Sequence, residues 1–275
     1  MEPYWDLVKR IVKESDVVLE ILDGRLVALS RNEEVEKIVI EVGRPLIYVI
    51  NKSDLVSKKN LEKQIEQLQE EHYPIVFVSI KDRTSIRILL QAIKKAFTIH
   101  GKRDIVERKV GDPKLKFREA KADIVVGVLG YPNVGKSSVI NALAHKQKAK
   151  VSKKAGTTHG IHWIRASDEI KLIDSPGVIP LQKDDDLRYG LIGARDSQNL
   201  RHPEVVAYFL IELFLKENKK DFESWYNIQI QGDNGEEILA QIALKKGKLL
   251  KGGIPDETRA AMIVVQDWQQ GKLKL

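Results

Sequence analysis

The chain has no cysteine, only 2 methionines, and aromatic residues at 6% of its 275 positions. Without cysteine it forms no disulfide, carries no thiol nucleophile and builds no thiolate metal site. It also lacks a run of about 18 apolar residues, the signature of a membrane span, and its first residues lack the basic and apolar regions of a secretion signal. We therefore expect a cytoplasmic protein with no membrane partner.

Basic residues exceed acidic ones by 46 to 39, and the excess lies before residue 180. From Lys94 to Lys121 there are 10 basic and 4 acidic residues, whereas from Pro180 to Leu275 the counts are 14 and 15. The segment 146–154 holds five more lysines. Such stretches are either solvated loops or a contact surface for a phosphate backbone, and composition does not separate the two.

Apolar runs alternate with helical patterns up to about Val178. Short runs at 17–22, 46–50, 75–78 and 124–129 predict buried strands, and 161–164 with 170–173 predict two more. Beyond Val178 the pattern is helical, and spacing predicts one buried face made of Val205, Val206, Phe209, Leu210 and Leu213. The fold class predicted is α/β, a mostly parallel sheet flanked by helices, followed by a small all-helical domain.

A phosphate-binding loop is the strongest signal, since residues 130–137 read GYPNVGKS directly after a predicted strand. Gly130 and Gly135 let the backbone aim its amides at phosphates, and Lys136 places a charge near the β and γ oxygens. Ser137 is positioned to hold Mg²⁺. The predicted nucleotide contacts of this loop and the following helix are Asn133, Val134, Gly135, Lys136, Ser137 and Ser138.

The segment Asn51-Lys52-Ser53-Asp54 predicts which nucleotide binds. An aspartate carboxylate at Asp54 accepts from both N1 and the 2-amino group of guanine, whereas adenine offers no such donor pair. Backbone amides at Ser79 and Ile80 are expected to contact the guanine oxygen, although Ile80 replaces the more usual small residue. We therefore predict GTP and GDP as substrate and product, with Asn51, Lys52 and Asp54 at the base.

Two later segments supply candidate switch residues. In 174–177, which reads DSPG, Asp174 is expected to hold Mg²⁺ through water and the Gly177 amide to sense the γ-phosphate. Thr157 and Thr158 are alternative Mg²⁺ ligands. Val178 follows, and because an apolar side chain cannot orient water, intrinsic hydrolysis is expected to be slow. His159 and His162 either assist that water or face solvent.

The base-reading motifs precede the phosphate loop, so the order is base, base, phosphate, switch, switch, whereas in ordinary GTP-binding domains the phosphate loop comes first. A circular permutation leaves the pocket intact, because the carboxyl ends of parallel strands fix motifs in space whatever their order in the chain. On these motifs the chain resembles the circularly permuted GTPases of ribosome assembly, and most closely the ribosome biogenesis GTPase A family. The basic stretch 101–122 would then be the connector that permutation creates.

The resemblance implies a GTP-binding domain at 1–180 and a helical domain at 187–275. It favours Thr158 over Thr157 and implies catalytic roles for Lys136, Asn133, Thr158 and Gly177. Asn133 would also hold an activating K⁺. It further implies that the partner is rRNA or the large ribosomal subunit, bound through the helical domain and the connector. The lysines of 245–251 either face RNA or belong to a solvated helix end, and we expect a monomer.

Asp23-Gly24-Arg25 is similar to an Asp-Ala-Arg signature of the permuted families, but the residues themselves indicate no catalytic role. The alternative function is a nucleotide-dependent module that binds another RNA or a protein, with hydrolysis incidental.

Overall fold

The structure is a computed structural model that describes residues 4–70, 72–103, 124–144, 162–175 and 185–275. Within these ranges the strands form one six-stranded sheet. The strands are β1 (Val17–Asp23), β2 (Leu46–Asn51), β3 (Ile75–Phe77), β4 (Ile124–Leu129), β5 (His162–Arg165) and β6 (Ile170–Asp174). The helices before residue 185 are α1 (Tyr4–Glu14), α2 (Val27–Ser30), α3 (Glu33–Val42), α4 (Lys58–Gln69), α5 (Arg83–His100) and α6 (Lys136–Leu143).

The sheet has the order β3-β2-β1-β4-β6-β5, and its neighbouring strands are parallel except for β5, which runs antiparallel to β6. The strand β1 lies between β2 and β4. Asp23 of β1 is level with Asn51 of β2, and Asp174 of β6 is level with Val128 of β4. The predicted base, phosphate and metal motifs therefore all lie at the end of the sheet formed by the carboxyl ends of its parallel strands.

Apolar side chains cover both faces of the sheet. On one face Val18 and Leu22 of β1 belong to a core that includes residues of α1, α3 and α4. On the other face Leu19 and Ile21 belong to a core with α5 and α6. Strands buried on both faces need continuous apolar runs, which is why the runs at 17–22, 46–50 and 124–129 predicted their positions well.

The helices after residue 185 form the second part of the chain. They are α7 (Asp186–Leu191), α8 (Pro203–Glu217), α9 (Lys219–Tyr226), α10 (Gly235–Lys245) and α11 (Glu257–Gln269). Phe214 of α8, Phe222 of α9 and Trp268 of α11 pack together at ring-centroid distances of 5.2 and 6.0 Å. An all-helical second part is thus confirmed, and its core is continuous with that of α1, α3 and α4.

The predicted buried face of α8 was partly wrong. Val205 is 48% exposed, and Phe209 and Leu213 are only partly buried, whereas Val206 and Leu210 are buried as expected. The helix is apolar almost all round, reading PEVVAYFLIELFLKE, so spacing alone did not single out the side that packs on α11.

Across the described ranges no helix is long and apolar enough to cross a membrane. The connector expected at 101–122 lies outside the described residues except for 101–103.

Candidate nucleotide site

The phosphate-loop segment connects β4 to α6 and needs glycine at two positions. Gly130 has φ +138° and Gly135 has φ +102°, a backbone region that favours glycine. A Cβ at position 130 would lie 2.6 Å from the carbonyl oxygen of Ile21 on the neighbouring strand. Both glycines therefore let the loop fold tightly over the end of the sheet, as the sequence predicted.

Lys136, the first residue of α6, is buried and folds back over this loop. Its ammonium donates to the carbonyl oxygens of Gly130 at 2.7 Å and Tyr131 at 2.8 Å. Burial lowers the pKa of Lys136 to about 8, while the charge of Asp174 acts in the opposite direction. The loop thus contains a desolvated cation, a group that an incoming phosphate would stabilise.

Asp174 ends β6 beside the phosphate-loop strand and is 3% exposed. Its Oδ1 is buried and has no hydrogen-bond partner within the described part of the chain. Burial raises the pKa of this carboxyl to about 6, and Lys136 and then His162 act against the rise. An unpaired, desolvated carboxylate next to a phosphate loop fits Mg²⁺, which typically binds one or two carboxylates together with substrate phosphates.

Asn51 joins the base motif to the phosphate loop. Its side chain is buried and its Nδ2 donates to the carbonyl oxygen of Val134 at 2.8 Å, although the two residues are 83 positions apart. A Cβ at Gly135 would collide with the same Nδ2. The two predicted halves of the nucleotide site therefore form one site across β1.

The remaining residues predicted to read the base surround the end of β2. Asp54 Oδ2 pairs with the Lys81 ammonium at 2.6 Å. Burial alone would raise the pKa of Asp54, but hydrogen bonds from Lys81 and Ser79 lower it, so this carboxyl is an ionised acceptor. Ser79 is buried and bonded to Ser85 near the start of α5, while Ile80 is 50% exposed.

Two contacts of the predicted site residues were not visible in the sequence. Asn133 Nδ2 donates to the carbonyl oxygen of Gly193 at 2.6 Å, 60 positions away in the helical part. The Lys52 ammonium lies 2.7 Å from Asp23 Oδ2. Both partners are distant in the chain, and only the fold brings them together.

Most of the predicted switch residues lie outside the described residues. They are Thr157, Thr158, His159, Gly177 and Val178. His162, by contrast, is exposed at the start of β5, level with Asp174.

The fold agrees with comparisons to known proteins. Residues 125–240 match the family described as 50S ribosome-binding GTPase. A GTP-binding protein of Methanocaldococcus jannaschii is 36% identical over 98% of this chain and 66% of its own length. The crystal structure of GNP-bound YlqF from Thermotoga maritima superposes with a TM-score of 0.58 over 98% of this chain and 95% of that one, at 20% identity.

The chain belongs to the circularly permuted GTPases. A guanine nucleotide-binding protein-like 3 homolog of Caenorhabditis elegans is 33% identical and aligns with all of this chain but only 50% of its own length. The chain thus spans about half to two thirds of the curated relatives named here. As a circularly permuted GTPase it is a GTP-binding protein, as the sequence predicted.

Proposed function

We propose that this GTP-binding protein hydrolyses GTP to GDP and phosphate and acts as a switch in assembly of the large ribosomal subunit. The observation that carries the proposal is the bond from Asn51 to Val134, which joins a guanine-reading loop and a phosphate loop in one site. The match to a family described as ribosome-binding supports the ribosomal part.

Each site residue has a proposed role. Asn51, Lys52 and Asp54 hold the base together with backbone amides at Ser79 and Ile80. The phosphate contacts proposed are Asn133, Val134, Gly135, Lys136, Ser137 and Ser138. Thr158 is the Mg²⁺-sensing residue, the Gly177 amide senses the γ-phosphate, and Asp174 acts on the metal side of the site.

Charge neutralisation is the main catalytic effect we propose for the protein. The buried ammonium of Lys136 exchanges its two backbone carbonyl acceptors for phosphate oxygens and offsets charge that develops on the transferred group. Ser137 and Thr158 would hold Mg²⁺ directly and Asp174 through water. When bound, the ion adds further Lewis-acid stabilisation of the phosphoryl oxygens.

Slow intrinsic turnover is expected because Val178 cannot orient a water. We propose that K⁺ supplies part of the missing charge and that Asn133 helps to hold it. The bond from Asn133 Nδ2 to Gly193 supports this role, because it fixes the amide and leaves Oδ1 as an acceptor. Partner binding on the helical part would then complete the site.

The partner proposed is rRNA on the large subunit, bound by a monomer with domains at 1–180 and 187–275. The basic excess before residue 180 supports a phosphate-backbone contact. Exposed lysines and leucines near the α10–α11 turn, including Lys251 and Leu250, offer a second contact surface.

Cosedimentation with purified large ribosomal subunits tests this function. The expected result is binding in the presence of a non-hydrolysable GTP analogue, weaker binding with GDP, and a steep loss of binding as salt rises. Subunit binding that is equally strong with GDP and with the GTP analogue would contradict a switch function. Absence of subunit binding, with GTP binding intact, would favour a module for another RNA or a protein.

A further inference from the structure

A buried network of charged groups connects the base loop to the helical part, and it centres on Asp23 at the end of β1. Asp23 Oδ2 accepts from the Lys52 ammonium at 2.7 Å and from Arg25 Nη2 at 2.8 Å, while Oδ1 accepts from Arg25 Nε at 2.9 Å. Asp23 and Arg25 are 2% and 1% exposed. Burial alone would raise the pKa of Asp23, but the two cations hold it well below its usual range.

The other side of Arg25 contacts α11. Its guanidinium lies 3.9 Å from the ring centroid of Trp268, and Nη1 donates to the carbonyl oxygen of the same residue. Trp268 is fully buried, and its indole N–H donates to the carbonyl oxygen of Leu191 in α7 at 2.7 Å. One guanidinium therefore joins the carboxylate that holds Lys52 to a ring fixed among the helices.

A second connection lies just past the base motif. The Leu275 amide donates to the carbonyl oxygen of Leu55 at 2.8 Å, and the Ser57 amide donates to the carbonyl oxygen of Leu275 at 2.7 Å. The chain that leaves α11 is thus paired with the chain that leaves the base motif. A movement of α11 would act on this motif from both sides.

We propose that Asp23, Arg25 and Trp268 form a relay by which the helical part controls how long the guanine nucleotide stays bound. Asp23 and Arg25 are positioning residues, because both are almost fully buried and they act on the nucleotide through Lys52. A partner that shifts α11 would loosen Lys52, and a bound nucleotide would in turn restrain α11, since coupling between two sites is reciprocal. The relay rests on the guanine-nucleotide site proposed above.

Dissociation of a fluorescent mant-GDP tests the relay with two variants and a matched control. Arg25→Lys keeps the charge but loses the fork that grips Asp23 and stacks on Trp268. Trp268→Phe keeps an aromatic ring but loses the indole bond to Leu191. In the control, Arg31→Lys, the parent guanidinium also grips a carboxylate, Glu36, and lies over a ring, Tyr48, and both of these partners lie outside the base motif 51–54.

We expect GDP to leave Arg25→Lys about tenfold faster than wild type, equivalent to about 1.4 kcal/mol. Trp268→Phe should give a smaller rise in the same direction, and Arg31→Lys should stay within about twofold, because Glu36 and Tyr48 lie outside the base motif. If Arg25→Lys does not fold, Trp268→Phe decides alone. Rates for both relay variants that equal the rate for Arg31→Lys would overturn the proposal.

Amide hydrogen exchange distinguishes the relay from a merely structural role of Arg25. GDP should slow amide exchange along α11 in wild type and have little effect on α11 in Arg25→Lys. Unchanged exchange in wild-type α11 would overturn the relay while leaving the nucleotide site standing. A wild type that fails to bind mant-GDP would overturn the site, and the relay with it.

Discussion

Replacement of Asp54 by Asn should change the base that the protein selects. Asp54 follows β2, and its ionised carboxylate accepts a hydrogen bond of 2.6 Å from the Lys81 ammonium. In the proposed complex it accepts instead from N1 and the 2-amino group of guanine. Hydrogen bonds to a charged group contribute about 1.5 to 3 kcal/mol each, so two contribute about 3 to 6 kcal/mol.

Asn keeps one acceptor but turns an NH₂ group toward the guanine amino group. We therefore expect Asp54→Asn to weaken GDP binding by at least about 100-fold, which corresponds to about 3 kcal/mol. Xanthine carries a carbonyl where guanine has the amino group, and that carbonyl can accept from Asn. Binding of xanthosine diphosphate should strengthen in the variant.

Equilibrium titration of mant-GDP and mant-XDP measures both effects. The matched control is Lys81→Ala, which removes the partner of Asp54 in the free protein. Because the Lys81 side chain is 73% exposed, its ion pair is worth at most about 1 kcal/mol, and affinity should change less than about fivefold. An Asp54→Asn variant that still prefers GDP to XDP would refute the assignment of Asp54 to the base.

Three further substitutions have defined outcomes. Gly135→Ala should abolish mant-GDP binding, because it adds a Cβ at φ +102° against Asn51; normal affinity would contradict the geometry. Arg103→Ala should lower the free energy of unfolding by about 3 to 5 kcal/mol in urea titrations, since it leaves Asp16 buried without its 2.8 Å ion pair. Affinity for GDP should stay unchanged. Glu20→Gln removes a fully buried carboxyl. Burial raises the pKa of this carboxyl well above 4.5. The folded state then binds the extra proton, so wild-type stability should fall as pH rises from 4.5 through the raised pKa. The melting temperature of Glu20→Gln should not show this fall as pH rises. A fall of the same size in wild type and variant would contradict the prediction.

Much of the fold could be predicted because short sequence patterns specify its strands and loops. The strand at Ile124–Leu129 was predicted with its observed bounds, since a strand buried on both faces needs a continuous apolar run. The motif predicted to bind phosphate was recognisable for a related reason: Gly130 and Gly135 have positive φ angles, which favour glycine. The permuted order followed from the positions of two such motifs.

The remaining features depend on long-range packing. The apolar pattern of α8 did not show that Val205 faces solvent, because the buried side is set by α11. Arg25 and Trp268 are 243 residues apart, and no local pattern pairs them. The same holds for Asn133 and Gly193, whose contact is created only when the helical part packs beside the phosphate loop.

The most direct test of the proposed function is GTP turnover with and without purified large ribosomal subunits, in potassium and in sodium buffers, for wild type and Asn133→Ala. We predict slow turnover alone and stimulation that requires both subunits and K⁺, with the K⁺ dependence lost in Asn133→Ala. Turnover that is indifferent to the subunits would contradict the assembly switch and leave the GTP site standing. Turnover that is equal in both cations would contradict only the potassium role.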